Sequence, residues 1–463
     1  MCTPDTDREY NETVKFIRDI PKFAEKHSPD VTRGYLHTLQ NPDLCAPIVH
    51  VAGTNGKGSV CNYLASILSC AGYRTALFTS PHLVDIRERM RIDGNMIPKA
   101  GFVRLCGKVK RLCTPLPTFF EFLFLVAMLW FREQKPDVIV LEVGLGGRLD
   151  ATNSVSHTAV SVITRIGLDH MQYLGNTAAA IAGEKAGILR GGTPAVFLDT
   201  PDEAYRVIQR RAKTVGAPFR VVRHSDYHGS LCGDSVLLSC HEDGFEDLSV
   251  QLHSPALYQA ENASLAIAAA RLLDGQGFRV PEKSIREGIC KAVWPGRMES
   301  IAPRFYVDGG HNDDGIHAFL ASVSAMAAAE QGGHRVLLFS AVRDKQYGKE
   351  LRAIAASGLF GEIVTAPLED PRGASGGELQ GAVRSALAVV RGKAAADLTG
   401  DSTILYDTDE LPEVTQYACV RDAAAALMER LRSEPQTIVF AAGSLYLAGE
   451  LERYRQDFIH DQF

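Results

Sequence analysis

The sequence predicts an α/β fold: an N-terminal P-loop-type, doubly wound, mostly parallel sheet with a small additional β segment, then a smaller C-terminal Rossmann-like α/β domain. Three observations predict it. Short apolar runs of strand length recur along the chain with helix-length amphipathic stretches between them. The first of these runs ends in a glycine loop, Gly53-Thr54-Asn55-Gly56-Lys57-Gly58-Ser59, that opens a helix. At 463 residues, 46% of them hydrophobic, the chain has material for two or three cored domains. The expected division is an N-terminal part over 1–298, including a helical lead-in, and a C-terminal part over 299–463.

The first forty residues, with Ile20-Pro21-Lys22-Phe23, read as that lead-in. The strand from Val49 and the glycine loop after it form a phosphate cradle, in which small residues let backbone N–H groups turn toward phosphates. Lys57 would meet the phosphates, and Ser59 could reach a magnesium ion. The spacing is not that of the standard P-loop: Val51 stands where the first glycine belongs, and Gly58 separates lysine from serine. A plain tight turn between strand and helix is the alternative.

Arg74 to His82 reads as a second strand ending in a polar turn that holds Ser80, at the sheet edge where open α/β sheets place ligand groups. A charged stretch, Asp85 to Asp93, and a buried apolar helix over Phe119 to Phe131 follow. Asp137 to Glu142 is a continuous apolar run closed by a carboxylate, which makes Glu142 the strongest candidate metal ligand, with a helix cap or ion-pair partner as the alternative. Leu149 stands where a third glycine would be needed, so the glycines after Glu142 are not a dinucleotide fingerprint. The strand Ala159 to Thr164 leads to Asp169 and His170, and a helix from about Thr177 carries Glu184 and Lys185. Ser59, Ser80, Glu142 and His170 thus converge on one sheet edge, which favours a hard cation such as Mg2+.

Beyond a strand-rich segment over 218–253, Leu257 to Asn262 opens an alanine-rich helix expected over Ala263 to Leu273, and Trp294 to Arg297 looks like a domain edge. A strand and turn at Arg304 to Asn312 precede further strands at Arg335 to Ser340, Glu362 to Thr365 and Thr437 to Phe440. The stretch from Asp370 to Gly400 reads as surface loops and a helix of little chemical content. A net charge of -6 gives no pull toward nucleic acid, the polar start is no signal peptide, and no apolar run reaches a membrane span. A cytoplasmic location follows as the expectation. The ten cysteines show no metal-ligand rhythm, and disulfides are not expected.

Five blocks carry a resemblance: Gly53 to Ser59, Thr79-Ser80-Pro81-His82-Leu83, Leu141 to Asn153, Leu168-Asp169-His170 and Glu184-Lys185-Ala186-Gly187-Ile188. In this order they resemble the folylpolyglutamate synthase and dihydrofolate synthase family of Mur-type ATP-dependent amino-acid ligases. The resemblance implies a monomeric ligase that takes ATP, L-glutamate and a reduced folate or dihydropteroate. It implies ATP contacts from Gly53, Thr54, Asn55, Gly56, Lys57, Gly58, Ser59, Gln259, Asn262, Arg297 and Asp308. Metal ligands would be Ser80, Glu142, His170 and Lys185, the last once carbamylated; Lys57, His170, Lys185 and Arg297 would act in catalysis. His311 and Ser444 would hold glutamate, and His82, Phe120 and Glu121 the folate. Phe119, Phe120 and Phe122 could stack on a heterocycle or simply pack a core. The chain departs from the family's Asp-Gly-Ala-His-Asn-Pro at Gly310 and Asp313, and keeps only part of its Asp-Lys-Asp run at Arg343-Asp344-Lys345. Lys185 could also be a surface lysine paired with Glu184. Another Mur-type ligase and a nucleotide-dependent binding protein without ligase activity are the competing readings.

Overall fold

The computed structural model describes residues 4–21, 28–199, 203–241, 248–329, 333–343, 345, 347–396 and 411–460. Lys22, Phe23, Asp344 and 397–400, each part of a stretch singled out above, lie outside the described residues. The chain forms two compact units. The first comprises Met1–His228, Leu238–Leu252 and Gln259–Val293, and the second Gly229–Leu237, His253–Tyr258 and Trp294–Phe463.

In the first unit, α1 (Pro4–Arg18) and α2 (Pro29–Thr38) precede β1 (Ile48–Ala52), α3 (Lys57–Cys70) and β2 (Thr75–Phe78). The charged stretch forms a 3-10 turn and β3 (Met90–Ile92), which pairs with β4 (Asn95–Met96). Helices α4 (Lys99–Leu112) and α5 (Phe119–Gln134) lead to β5 (Val138–Glu142) and β6 (Thr158–Ile163). Then come α6 (Met171–Leu174), α7 (Ala178–Ala186), β7 (Ala195–Leu198), α8 (Glu203–Val215) and β8 (Phe219–Val222). These eight strands make one sheet in the order β4-β3-β2-β5-β1-β6-β7-β8. Its β2-to-β8 part is parallel, while β3 runs antiparallel to β2.

Every residue of β1 and of β5 is buried, as unbroken apolar runs require when helices cover both sheet faces. Strand β1 lies between β5 and β6, and the connections leave it in both directions. That makes its carboxyl end the switch point at which an open sheet opens a crevice. Helix α5 is buried from Glu121 to Phe131 and fills the core beneath β2 and β5, together with α1 and α2.

Strands β9 (Tyr227–Cys232), β10 (Ser235–Cys240) and β11 (Leu248–Leu252) form a three-stranded sheet whose β9–β10 tip belongs to the second unit. Helix α9 (Gln259–Asp274) starts inside the Leu257–Asn262 stretch expected to open it, with a polar first turn ahead of the alanine run; α10 (Glu282–Lys291) packs on α3.

The second unit holds β12 (Glu299–Ala302), β13 (Phe305–Val307), α11 (Asp313–Ala329), β14 (His334–Phe339), α12 (Tyr347–Ser357) and β15 (Glu362–Thr365). It continues with α13 (Gly376–Ala396), β16 (Glu413–Gln416), α14 (Val420–Ser433), β17 (Thr437–Ala442) and α15 (Leu445–His460). The sheet order is β12-β13-β17-β14-β15-β16, parallel except for β12. Phe319, Phe360 and Phe440 pack edge and face at its centre. Helix α13 is the helix expected within 370–400, and its Leu379, Val383 and Ala386 are buried in this core. Tyr258 and Asp234, far away in sequence, complete the unit by bonding Asp308 and Tyr306. No described helix is long and apolar enough to cross a membrane.

Candidate nucleotide and metal site

The glycine loop leaves β1 at Gly53, whose φ of +151° and whose closeness to Thr164 both demand glycine: a Cβ there would fall 1.7 Å from Thr164 Oγ1. Gly56 caps α3 with a φ of +87°, and a Cβ on it would stand 2.1 Å from Asn262 Oδ1. No side chain caps α3. The N–H groups of its first turn, Lys57, Gly58 and Ser59, therefore have no intrahelical partner and offer an anion site.

Thr54 and Asn55 depart from the expected cradle. Their N–H groups point to the Arg165 carbonyl, at 2.9 and 3.3 Å, so these donors serve the loop's own shape and not a phosphate. The Thr164 hydroxyl donates to the Asn55 carbonyl at 2.7 Å and the Thr54 hydroxyl to the Gly167 carbonyl at 3.1 Å. The loop is thus strapped to the turn after β6, a support that sequence reading missed. Its only sequence trace is a small hydroxyl residue, Thr164, at a strand end.

Lys57 folds back on its own loop, with Nζ 3.2 Å from the Thr54 carbonyl. Lys185 is 4% exposed and donates to the Gly53 carbonyl at 2.7 Å. Burial, and then the positive charge of Lys57, push its ammonium down to about 7, with Asp169 and Asp150 acting the other way. The surface-lysine alternative is excluded, since Glu184 pairs instead with Arg148 at 2.8 Å. Helix α7, which carries Lys185, is pressed against the loop after β5: a Cβ on Gly147 would fall 2.8 Å from the Glu184 carbonyl, and Arg148 N–H donates to that carbonyl at 2.7 Å. Asp150 shapes the same loop by accepting from Leu145 N–H and Thr152 N–H at 2.8 and 3.0 Å.

Glu142 ends β5 buried, and one carboxylate oxygen accepts the Ser80 N–H at 2.8 Å. Gln259 Nε2 reaches Ser59 Oγ at 3.3 Å and Asn262 Nδ2 reaches Gln259 Oε1 at 2.9 Å, so the first turn of α9 lies against the loop. Carboxylate and hydroxyl oxygens suit a hard cation. No group of three His, Cys, Asp or Glu side chains able to hold a metal exists among the described residues. A cation held by Glu142 would complete its shell largely with hydroxyl, water and phosphate oxygens, as magnesium does. His170 is seven residues past the end of β6, exposed, with left-handed backbone at φ 52°, and not at the strand end expected for it.

The acceptor residues divide. Glu121 is a correction: it caps its own helix by accepting from Thr118 N–H and Oγ1 at 2.9 and 2.7 Å, and its other oxygen takes the Thr32 hydroxyl at 2.8 Å. With both oxygens so used in a buried position, its role is to hold α5. Phe122 is fully buried core, whereas Phe120 is half-buried and lies over Gly144, where a Cβ would fall 2.5 Å from its ring. His82 is half-buried and accepts from Arg89 Nε at 2.8 Å.

In the second unit Asp308 follows β13 and accepts from Met298 N–H and Gly310 N–H at 3.1 and 2.7 Å and from the Tyr258 hydroxyl. Burial raises its pKa and Arg297 opposes the rise. Arg297 donates to the Gly296 carbonyl at 2.8 Å, and the His311 ring sits 2.8 Å from the Gly309 carbonyl. Ser444 is buried and accepts from Tyr446 N–H at 3.1 Å. Asp313 is exposed in the first turn of α11, 3.6 Å from His317.

A doubly wound sheet with a lysine-bearing glycine loop, a strand-end carboxylate and a buried lysine defines an ATP-dependent ligase of the Mur type. Residues 51–270 match the Mur ligase middle domain. The chain is 34% identical over 360 residues to the dihydrofolate synthase/folylpolyglutamate synthase of Bacillus subtilis, covering 74% of this chain and 82% of that one. It is 33% identical over 334 residues to the folylpolyglutamate synthase of Lacticaseibacillus casei, covering 68% and 77%. Escherichia coli FolC in complex with DHPP and ADP superposes with a TM-score of 0.79 at 28% identity, over 98% of this chain and 99% of that one. A bifunctional folylpolyglutamate synthase/dihydrofolate synthase with Mn, AMPPNP and L-glutamate bound gives 0.76 at 29%, over 96% and 98%. The chain belongs to the folylpolyglutamate synthase/dihydrofolate synthase family.

Proposed function

We propose that the protein joins L-glutamate to the γ-carboxyl of reduced folates in an ATP- and Mg2+-dependent reaction, and that dihydropteroate is a second acceptor. The observation that carries this reading is Lys185, a buried amine of lowered pKa beside the phosphate-loop lysine. A protein that only senses nucleotide has no use for such a group. Relatives with both activities, and neighbours holding ADP, Mn and L-glutamate, support it.

In this reading the acceptor carboxylate attacks the γ-phosphate of ATP, ADP leaves, and the glutamate amine displaces phosphate from the acyl phosphate to form the amide. Lys57 and Arg297 neutralise phosphate charge, and the free N–H groups of Gly58 and Ser59 orient it. Ser80 and Glu142 would hold one magnesium, and Glu142, His170 and carbamylated Lys185 would hold a second. Bound magnesium supplies charge neutralisation on the transferring phosphoryl oxygens. Gln259 and Asn262 read the adenine edge, Asp308 holds the ribose, His311 and Ser444 hold glutamate, and His82 and Phe120 face the acceptor. Residues 1–298 then carry the phosphate loop, and 299–463 the glutamate pocket together with Asp308. The enzyme is proposed to act as a cytoplasmic monomer.

ADP release measured with each substrate omitted in turn tests the proposal. Release should require glutamate together with tetrahydrofolate or dihydropteroate. Release that ignores glutamate, whichever pterin is supplied, refutes it.

A further inference from the structure

The turn after β6 does more than support the phosphate loop. The Arg165 carbonyl receives the Thr54 and Asn55 N–H groups, while the Arg165 side chain reaches the opposite way, to α9. There its guanidinium forks onto Glu261, with Nε 2.9 Å from Oε1 and Nη2 bonded to Oε2. The Tyr227 hydroxyl, at the start of β9, donates to the same Oε2 at 3.1 Å. Glu261 is buried and lies between Gln259 and Asn262, the two α9 side chains that meet Ser59 and Gly56. A single residue therefore fixes the start of the phosphate loop through its backbone and the first turn of α9 through its side chain.

We infer that Arg165 and Glu261 are positioning residues for the nucleotide: the fork between them sets the spacing between the phosphate loop and the turn bearing Gln259 and Asn262. The physical reason is geometric. Ser59 meets the first turn of α9 through the 3.3 Å Gln259 contact, and Gly56 approaches Asn262 too closely for any added atom. Small sliding of α9 therefore changes the cradle directly. A two-point Arg–carboxylate fork fixes orientation as well as distance, which a lysine or a single hydrogen bond does not. Glu261→Gln keeps bulk and Arg165→Gln shortens the side chain, and each loses the charged fork. The inference rests on the nucleotide reading of this loop.

The test is ADP titration by calorimetry, together with KM for ATP and kcat, on wild type, Arg165→Gln, Glu261→Gln and the exchange Arg165→Glu/Glu261→Arg. Each single variant should weaken ADP binding and raise KM for ATP by roughly tenfold with kcat within about twofold, the effect of misplacing a binding surface that does not react. The exchange should regain a large part of that loss, because it restores the fork. Affinity unchanged in both single variants overturns the inference, as does an exchange variant as weak as the two losses combined. A fall in kcat with KM unmoved also overturns it, since that is the mark of a smaller folded fraction. Wild type that fails to bind ADP refutes the nucleotide reading and the inference with it. Wild type that binds beside equally tight variants refutes the inference alone.

Discussion

Replacing Lys185 with methionine removes the buried amine that α7 packs against the phosphate loop and nearly keeps the length of the side chain. The drop from the ordinary 10.5 to about 7 is worth about 5 kcal/mol. The folded-state value lies below the unfolded one, so from about pH 7 to 10.5 the unfolded chain binds the extra proton and stability rises with pH. Below about pH 7 both states are protonated and the whole cost is present. Methionine abolishes it but loses the bond to the Gly53 carbonyl, worth about 1 to 3 kcal/mol. The variant should thus be more stable than wild type by about 2 to 4 kcal/mol at pH 6, with the advantage shrinking toward pH 9. Urea unfolding of metal-free protein in chelator and bicarbonate-free buffer, at pH 6, 7.5 and 9, measures this. Parallel pH profiles for the two proteins would refute the reasoning. At pH 7.4 an ordinary lysine is neutral in only about one molecule in a thousand, whereas Lys185 is neutral in about half or more. Labelled bicarbonate should therefore give a carbamate carbon signal in wild type that the variant lacks, and ligation should fall at least about a hundredfold in the variant.

Gly56→Ala puts a methyl group 2.1 Å from Asn262 Oδ1 at a φ of +87° and should cost about 2 to 4 kcal/mol and at least tenfold in ADP affinity, read by unfolding and calorimetry. Glu121→Ala should lower stability by about 1 to 3 kcal/mol through loss of the α5 cap while leaving the acceptor KM within about twofold; Phe120→Ala should do the reverse, and steady-state kinetics separates the two. Asp313→Pro restores the proline usual in the family at the first position of α11, where the N–H has no helical partner. With Asp313 exposed, the KM for glutamate should stay within about twofold.

Strand runs and the glycine loop were legible because burial on both faces and a turn without Cβ atoms each leave a local mark, as at Val138 to Glu142 and at Gly56. The polar first turn of α9 left its first residue open, since Gln259 and Glu261 break the apolar period that identifies a helix. Glu121 misled for a related reason: a carboxylate three residues after Thr118 is a capping box, and its use by Thr32 depends on a residue 89 positions away. The fork between Arg165 and Glu261 spans 96 positions and joins two ordinary surface-type residues, so nothing local announces it. Lys185 was singled out by its motif, but its burial against Gly53 follows only from how α7 packs on the loop after β5.

The second unit's dependence on two borrowed segments bears on how this chain could be cut or recombined. A fragment beginning at 299 would carry Asp308 without the Tyr258 hydroxyl and Tyr306 without Asp234. Gene shuffling at a single junction between the lobes would therefore deliver an incomplete C-terminal half. A transplantable cassette has to include 229–237 and 253–258, which ties inheritance of the one lobe to that of the other.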